Sequence, residues 1–303
     1  MIKLGLIEES ISSFLKALEL NPCHDDSWNN LLFPLHVIKN QNPVSLSKWL
    51  KRFELLSDKT AKINLEVLKY DLSRGSSTSE IAMDQAIQQM SQGQNLVMKN
   101  PNIHFNKDKE REQTPKKMFA LFQTGRAGTG LLHSLIDNHR EVSTLPSIYF
   151  SEYFDHSIWE KITAGGWQEM ALRFIKIFPV LFDANDPSPV LSIGGKLLPN
   201  MGRSEGLCHV GEGRNEVLKV DKKLFYVELT RLINSCEYLD ALTFFELVHV
   251  AYDRTVYNCS EKDIIFYHIH NPSNHAQLNF NRLASSPNCI LMVREPVQSC
   301  ESW

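Results

Sequence analysis

The chain has 303 residues, 32 basic and 35 acidic, for a net charge of −3, with 43% hydrophobic and 22% charged side chains. That balance suits a globular protein of one or two cored domains and excludes a global field that would draw in nucleic acid or acidic lipid, so any anion site has to be local. The six cysteines, at 23, 208, 236, 259, 289 and 300, follow no C-x-x-C or metal-ligand spacing, which argues against a disulfide framework and for free thiols in a reducing compartment.

Residues 1–92 read as helical. Gly5-Leu6-Ile7-Glu8-Glu9-Ser10-Ile11, then Phe14, Ala17, Leu18 and Leu20, places apolar residues at helical spacing, and Pro22 closes the run. Trp28 and Leu31, after Asp25-Asp26-Ser27, open a second helix. These small and aromatic positions resemble a tetratricopeptide repeat, from which Leu32 and Pro34 depart. The resemblance sets Met1 at about the eleventh position of a repeat of about 34 residues, so the repeat-like domain is expected to be incomplete at its N-terminus and the chain to be a fragment. Further helices are predicted over Leu46–Leu56, Thr60–Leu72 and Ile81–Met90, the last preceded by the capping pattern Ser77-Thr78-Ser79-Glu80. Residues 93–116, polar and poor in apolar positions, read as a linker to an α/β domain over 117–303.

That second domain opens on its most informative stretch. The apolar run Met118 to Phe122 breaks into a loop with Gly125, Arg126, Ala127, Gly128, Thr129 and Gly130, and Leu131-Leu132-His133-Ser134-Leu135-Ile136 restarts at helical spacing. Strand, glycine-rich turn and helix is the arrangement that points backbone N–H groups and a helix N-terminus at a phosphate. Its glycines fall as G-x-x-G-x-G, which is neither the nucleotide-triphosphatase nor the dinucleotide pattern. Glu141 to Pro146 reads as short and extended, and 149–182 as amphipathic helices whose Trp159, Trp167, Phe174 and Phe178 belong to a core. From Gly194 to Gly213 six of the 14 glycines crowd together, with Lys196, Arg203 and Arg214 nearby, as a cover over an acceptor site or a surface excursion. Leu224–Ile233 and Leu242–Val256 read as apolar helices, and Ile264 to His270 as a strand. A final strand, Cys289 to Val293, runs into Arg294-Glu295-Pro296, with Ser302 eight residues after Arg294.

The glycine loop and the Arg294 segment together resemble the sulfotransferases that use 3'-phosphoadenosine 5'-phosphosulfate. In that family a loop of form G-R-S-G-T-T-L-L wraps the 5'-phosphosulfate. A strand end of form V-R-(D/N)-P, with a serine eight residues after the arginine, holds the 3'-phosphate. Arg126, Gly128 and Thr129 match the first motif, Ala127 and Gly130 depart from it, and Arg294 and Ser302 match the second. The resemblance implies a P-loop-like parallel sheet with flanking helices, behind an all-α repeat-like domain. It implies donor binding by Gly125 to Leu131, with Arg126 also stabilising the transferring group, and by Arg294 and Ser302. Tyr267-His268-Ile269-His270-Asn271-Pro272 resembles the K-T-H-L-P strand end of cytosolic members, which would make His270 the general base and put His268 in the lysine's place. The glutamate base of tyrosylprotein-type members is missing around Ser147, and Glu152 is the nearest carboxylate.

The expected activity is transfer of a sulfuryl group to a hydroxyl or amine on a carbohydrate, protein or small molecule, with no metal, and with a protein partner for the helical region. The other reading is a non-catalytic helical-repeat interaction protein with a degenerate nucleotide-binding domain. A kinase is disfavoured because the Walker lysine and a paired carboxylate for Mg²⁺ are not recognisable. No apolar run approaches the ~18 residues of a membrane helix and the N-terminus lacks a signal-peptide pattern, so the expected location is the cytoplasm, with neither membrane nor nucleic acid as partner. The domain is also expected to be incomplete at its C-terminus, since sulfotransferases usually continue into a further nucleotide-contacting segment.

Overall fold

A computed structural model describes residues 4–22, 24–74, 76–91, 97–101, 117–122, 127–146, 150–185, 213, 215–257, 262–269, 274–284 and 287–293. The chain is mixed α/β and divides into two compact units, Met1–Gln94 with Ile193–Lys196 and Ser273–Asn279, and Asn95–Ser192 with Leu197–Pro272 and Phe280–Trp303.

Unit 1 carries α1 (Leu4–Leu20), α2 (Asp25–Gln41), α3 (Pro43–Phe53), α4 (Lys59–Leu72) and α5 (Ser77–Ser91), in which α1 packs on α2, α2 on α3 and α4, and α4 on α5. Ile7, Ile11, Leu15 and Leu18 recur at steps of three or four along α1 and are buried against Trp28, Leu31, Leu35 and Ile38 of α2. Side chains close the helix starts. His24 Nδ1 accepts from the Ser27 N–H, and Asp58 Oδ1 accepts from the N–H groups of Thr60 and Ala61. The Trp28 indole N–H donates to the Pro22 carbonyl at 2.8 Å, which pins the α1–α2 turn. Pro34 lies inside α2 without ending it.

Unit 2 is built on four parallel strands, β2 (Lys117–Phe122), β3 (Val142–Thr144), β5 (Ile264–Ile269) and β6 (Asn288–Leu291), in the order β3-β5-β2-β6. Two two-residue strands, β1 (Met98–Lys99) and β4 (Tyr238–Leu239), form a separate antiparallel ladder. Its first strand lies within the stretch read as a linker, 93–116. Residues 98–99 are strand, and Asn100 is buried, its N–H donating to Glu237 and its side-chain amide to the carbonyls of Asn234 and Cys236.

The helices of unit 2 are α6 (Thr129–Ile136), α7 (His156–Thr163), α8 (Met170–Ile177), α9 (Lys222–Ser235) and α10 (Ala241–Tyr257), and α11 (Asn274–Leu283) begins in unit 1 and ends in unit 2. The sequence pattern did not call the last of these. Phe150, Tyr153, Phe154, Phe174, Phe245 and Tyr267 form a fully buried aromatic core, with Phe150 stacked on Phe245 at 5.3 Å. Trp159, Trp167, Phe174 and Phe178 are buried, as a core reading requires. Among the described residues no helix is long and apolar enough to cross a membrane.

Candidate functional site

The sheet order places β2 between β5 and β6. The chain runs from β2 outward to β3 and back to β5 on one side, then returns to β6 on the other, so the strand order reverses at β2. Open α/β sheets bind ligands at the carboxyl ends of the strands at such a point. The three strand ends are level, since Phe122 pairs with Ile269 on one side and Leu291 on the other. The carboxyl end of β2 therefore lies between those of β5 and β6.

The described part of the loop leads into α6. Ala127 and Thr129 are buried, Leu131 is exposed, and Gly128 caps the helix with φ +87°, its carbonyl accepting from the Leu132 N–H at 3.1 Å. A Cβ at Gly128 would lie 3.7 Å from the Met292 methyl, just past the end of β6, so the loop and that strand end are in contact. A Cβ at Gly130 would meet nothing within 4 Å. This leaves open room beside the first turn of α6, where helix N–H groups point outward and favour an anion. The two glycines are expected to respond oppositely to alanine. Gly128→Ala should lose about 1–2 kcal/mol because positive φ is costly for an L side chain, while Gly130→Ala should gain about 0.5 kcal/mol from helix propensity. Thermal unfolding of the two variants measures both, and equal shifts would mean that the positive φ at Gly128 is not required.

Of the site residues predicted from sequence, Gly125, Arg126, His270, Arg294 and Ser302 lie outside the described residues, as do Ser147, Lys196, Arg203 and Arg214. His268 is described, one residue before the end of β5. It is buried on β5, with its Nδ1 3.2 Å from Nδ1 of His133 on α6, so one imidazole donates to the other. Burial pulls the His133 pKa down, with the Asp137 charge opposing. His133 was missed as a site residue. The available signal was its place one helical turn after Thr129, on the face that α6 turns to the sheet. Asp137, just past α6, accepts from the Thr144 hydroxyl on β3 and so ties the end of the helix to the edge of the sheet.

Glu152 is half-buried in the turn before α7. Burial, and secondarily the Glu152 charge, raises the pKa of the Tyr267 hydroxyl, which donates to the carbonyls of Phe150 and Ser151. The Ser151 hydroxyl in turn reaches the His268 carbonyl at 3.5 Å, which keeps this turn against β5 near its carboxyl end.

A second polar cluster lies behind the sheet. Ser143 Oγ on β3 is 2.9 Å from His249 Nδ1 on α10, Asp253 follows one turn later, and Lys262 Nζ, just before β5, is 3.0 Å from Asp253 Oδ1. All four residues are buried, which excludes substrate access and makes the cluster a clamp between β3, α10 and the start of β5. No three or more His, Cys, Asp or Glu side chains among the described residues are placed to hold a metal ion. Comparison with protein-family models, curated proteins and solved structures finds no match for the chain.

Proposed function

We propose that unit 2 is a sulfotransferase domain that moves a sulfuryl group from 3'-phosphoadenosine 5'-phosphosulfate to a hydroxyl or amine. The observation that carries this reading is the strand order. With β2 between β5 and β6 and all three ends level, the two motifs that resemble the family and the Tyr267–Pro272 strand end follow three neighbouring strands. The open first turn of α6, with Gly128 at positive φ and free space at Gly130, suits an anionic phosphosulfate.

In this reading the N–H groups of Gly125 to Leu131 and the Arg126 guanidinium hold the 5' end of the donor and the charge that develops on its oxygens. Arg294 and Ser302 hold the 3'-phosphate, using binding energy away from the reacting centre for orientation. His270 takes the proton of the acceptor as its oxygen or nitrogen bonds to sulfur and the bond from sulfur to the 5'-phosphate oxygen breaks. The donor supplies the activated sulfuryl group, and adenosine 3',5'-bisphosphate leaves. The cytoplasmic location expected from the sequence accompanies this reading.

Calorimetric titration of the chain with adenosine 3',5'-bisphosphate and with adenosine 5'-phosphate tests it. The bisphosphate should bind about tenfold tighter or more, the worth of one charge-assisted contact, and Arg294→Ala should remove the difference. A second reading, a non-catalytic interaction protein, is favoured by Gly130, which has no hydroxyl where the family loop carries threonine. Equal affinity for the two nucleotides in the unaltered chain would select it.

A further inference from the structure

Unit 1 presents a charged helix face that sulfuryl transfer does not use. α3 carries Lys48, Lys51 and Arg52 and no carboxylate. Its Trp49 and Phe53 are buried in the core of the unit, with the Phe53 ring 5.9 Å from that of Trp28, so the helix is held fixed on that side. The opposite face carries Val44, Lys48, Lys51 and Arg52 at helical spacing. Leu55 continues it, in a turn where its N–H donates to the Arg52 carbonyl at 3.3 Å. All five are exposed, Val44 by 67% and Leu55 by 82%.

The three cations are not neutralised from within. None forms an ion pair among the described residues, and the carboxylates closest to α3 are engaged elsewhere. Glu54, just past its end, is 3.1 Å from Lys69 Nζ, and Glu8 accepts from the Ser45 hydroxyl at 2.9 Å. Arg52 is also set in place before any partner arrives. Its guanidinium carbon lies 4.7 Å from the centre of the Trp49 ring, a contact that orients the side chain while the residue stays exposed. Cations near the end of a helix suit its dipole, but that role asks nothing of Lys48 and leaves Val44 and Leu55 in solvent.

Three cations between two apolar ends select an occupant. A membrane takes a basic helix by its apolar face, and here that face is already buried in the core. Single-stranded nucleic acid stacks its bases on exposed rings, and α3 exposes none, since Trp49 and Phe53 are both buried. A second helix laid along α3 fits both parts. Its carboxylates can take charge-assisted hydrogen bonds from the lysines and the arginine, and apolar residues at its ends can cover Val44 and Leu55, which stand about 16 Å apart at 1.5 Å of rise per residue. We propose that the outer face of α3 docks an acidic amphipathic helix of a partner protein, its Asp or Glu side chains on Lys48, Lys51 and Arg52 and its apolar residues on Val44 and Leu55. The inference is independent of any reaction in unit 2.

Fluorescence anisotropy of the full chain with a labelled, helix-stapled peptide, Leu-Ala-Ala-Glu-Glu-Ala-Ala-Glu-Glu-Ala-Ala-Leu, tests the proposal at low salt. The expected result is saturable binding that disappears when lysine replaces each glutamate of the peptide. Lys48→Glu/Lys51→Glu should weaken it by about tenfold or more, through loss of charge-assisted contacts, and Val44→Ser/Leu55→Ser by a smaller factor. Circular dichroism checks that each variant folds, and the milder Lys48→Gln should give an intermediate loss. No saturable binding, binding indifferent to the double lysine variant, or tighter association with phosphatidylserine vesicles than with the peptide would each overturn it.

Discussion

Replacing Lys262 by methionine is expected to loosen unit 2 by about 3–5 kcal/mol, the cost of leaving a buried charge without its partner. The Lys262 and Asp253 side chains are 3% and 6% exposed, and their charged ends are 3.0 Å apart. The contact is an ion pair rather than an aligned hydrogen bond, because neither atom meets a well-directed hydrogen-bond partner. The lysine also sits 4.2 Å from the centre of the Tyr257 ring, an attractive position for a desolvated cation. Burial raises the Asp253 pKa, and its contacts to Ser143 and Lys262 only partly oppose that, so the carboxylate depends on this lysine. Hydrogen exchange of the β3, β5 and α10 amides measures the loss, with α1–α4 as an internal reference. Lys262→Met/Asp253→Leu should recover most of it, because an apolar replacement of a buried pair is often neutral. A single variant within about 1 kcal/mol of the unaltered chain would mean that the pair does not clamp the sheet.

Periodicity made most of the framework legible. The helices over 46–56, 60–72, 224–233 and 242–256 and the strands over 264–270 and 289–293 all have counterparts within a few residues of their predicted bounds. Three elements escaped for physical reasons. β1 and β4 are two residues each, too short for an alternation to register. α11 carries four asparagines and glutamines among its ten residues, and its apolar stripe, Ala276, Phe280 and Leu283, is only two turns long. Strand order depends on contacts far apart in sequence, so the central place of β2 emerges only from the sheet.

Of the predicted site residues, those from Ala127 to Leu131 are described. Gly128 announced itself, because a glycine-rich turn before a helix calls for positive φ, and the structure has it there. The His133–His268 contact could not be read, since 135 residues separate its members. The clamp behind the sheet did leave a trace. His249 and Asp253 stand among the apolar residues of α10 at a spacing of four, which puts both on one face. Polar residues so placed in a buried helix need partners, and Ser143 and Lys262 supply them from β3 and from the segment before β5.

Acidification from pH 6.5 to 5 is expected to cost unit 2 about 1–2 kcal/mol through His249. This imidazole is wholly buried, 2.9 Å from Ser143 Oγ at Nδ1, with its ring 4.8 Å from that of Phe245. The charged groups facing it are Asp253 on its own helix and Lys262 before β5. Burial first, and the Lys262 charge second, lower its pKa from the ordinary 6.5 to about 3. In that window the unfolded chain binds a proton that the folded chain refuses. Stability therefore falls with pH, by ~1.4 kcal/mol per unit for one such group. Asp253 works the other way. Its raised pKa lets the folded carboxyl take a proton before the unfolded one does, which offsets part of the loss. His133, also lowered by burial, adds a loss of the same sign that a His249 variant retains. The measurement is hydrogen exchange of the α10 and β3 amides across this range for the unaltered chain and for His249→Gln, whose amide can still reach Ser143. The variant should lose about 1 kcal/mol less than the unaltered chain over the same interval. Parallel losses in the two proteins would remove His249 as the source and leave the acid sensitivity to His133.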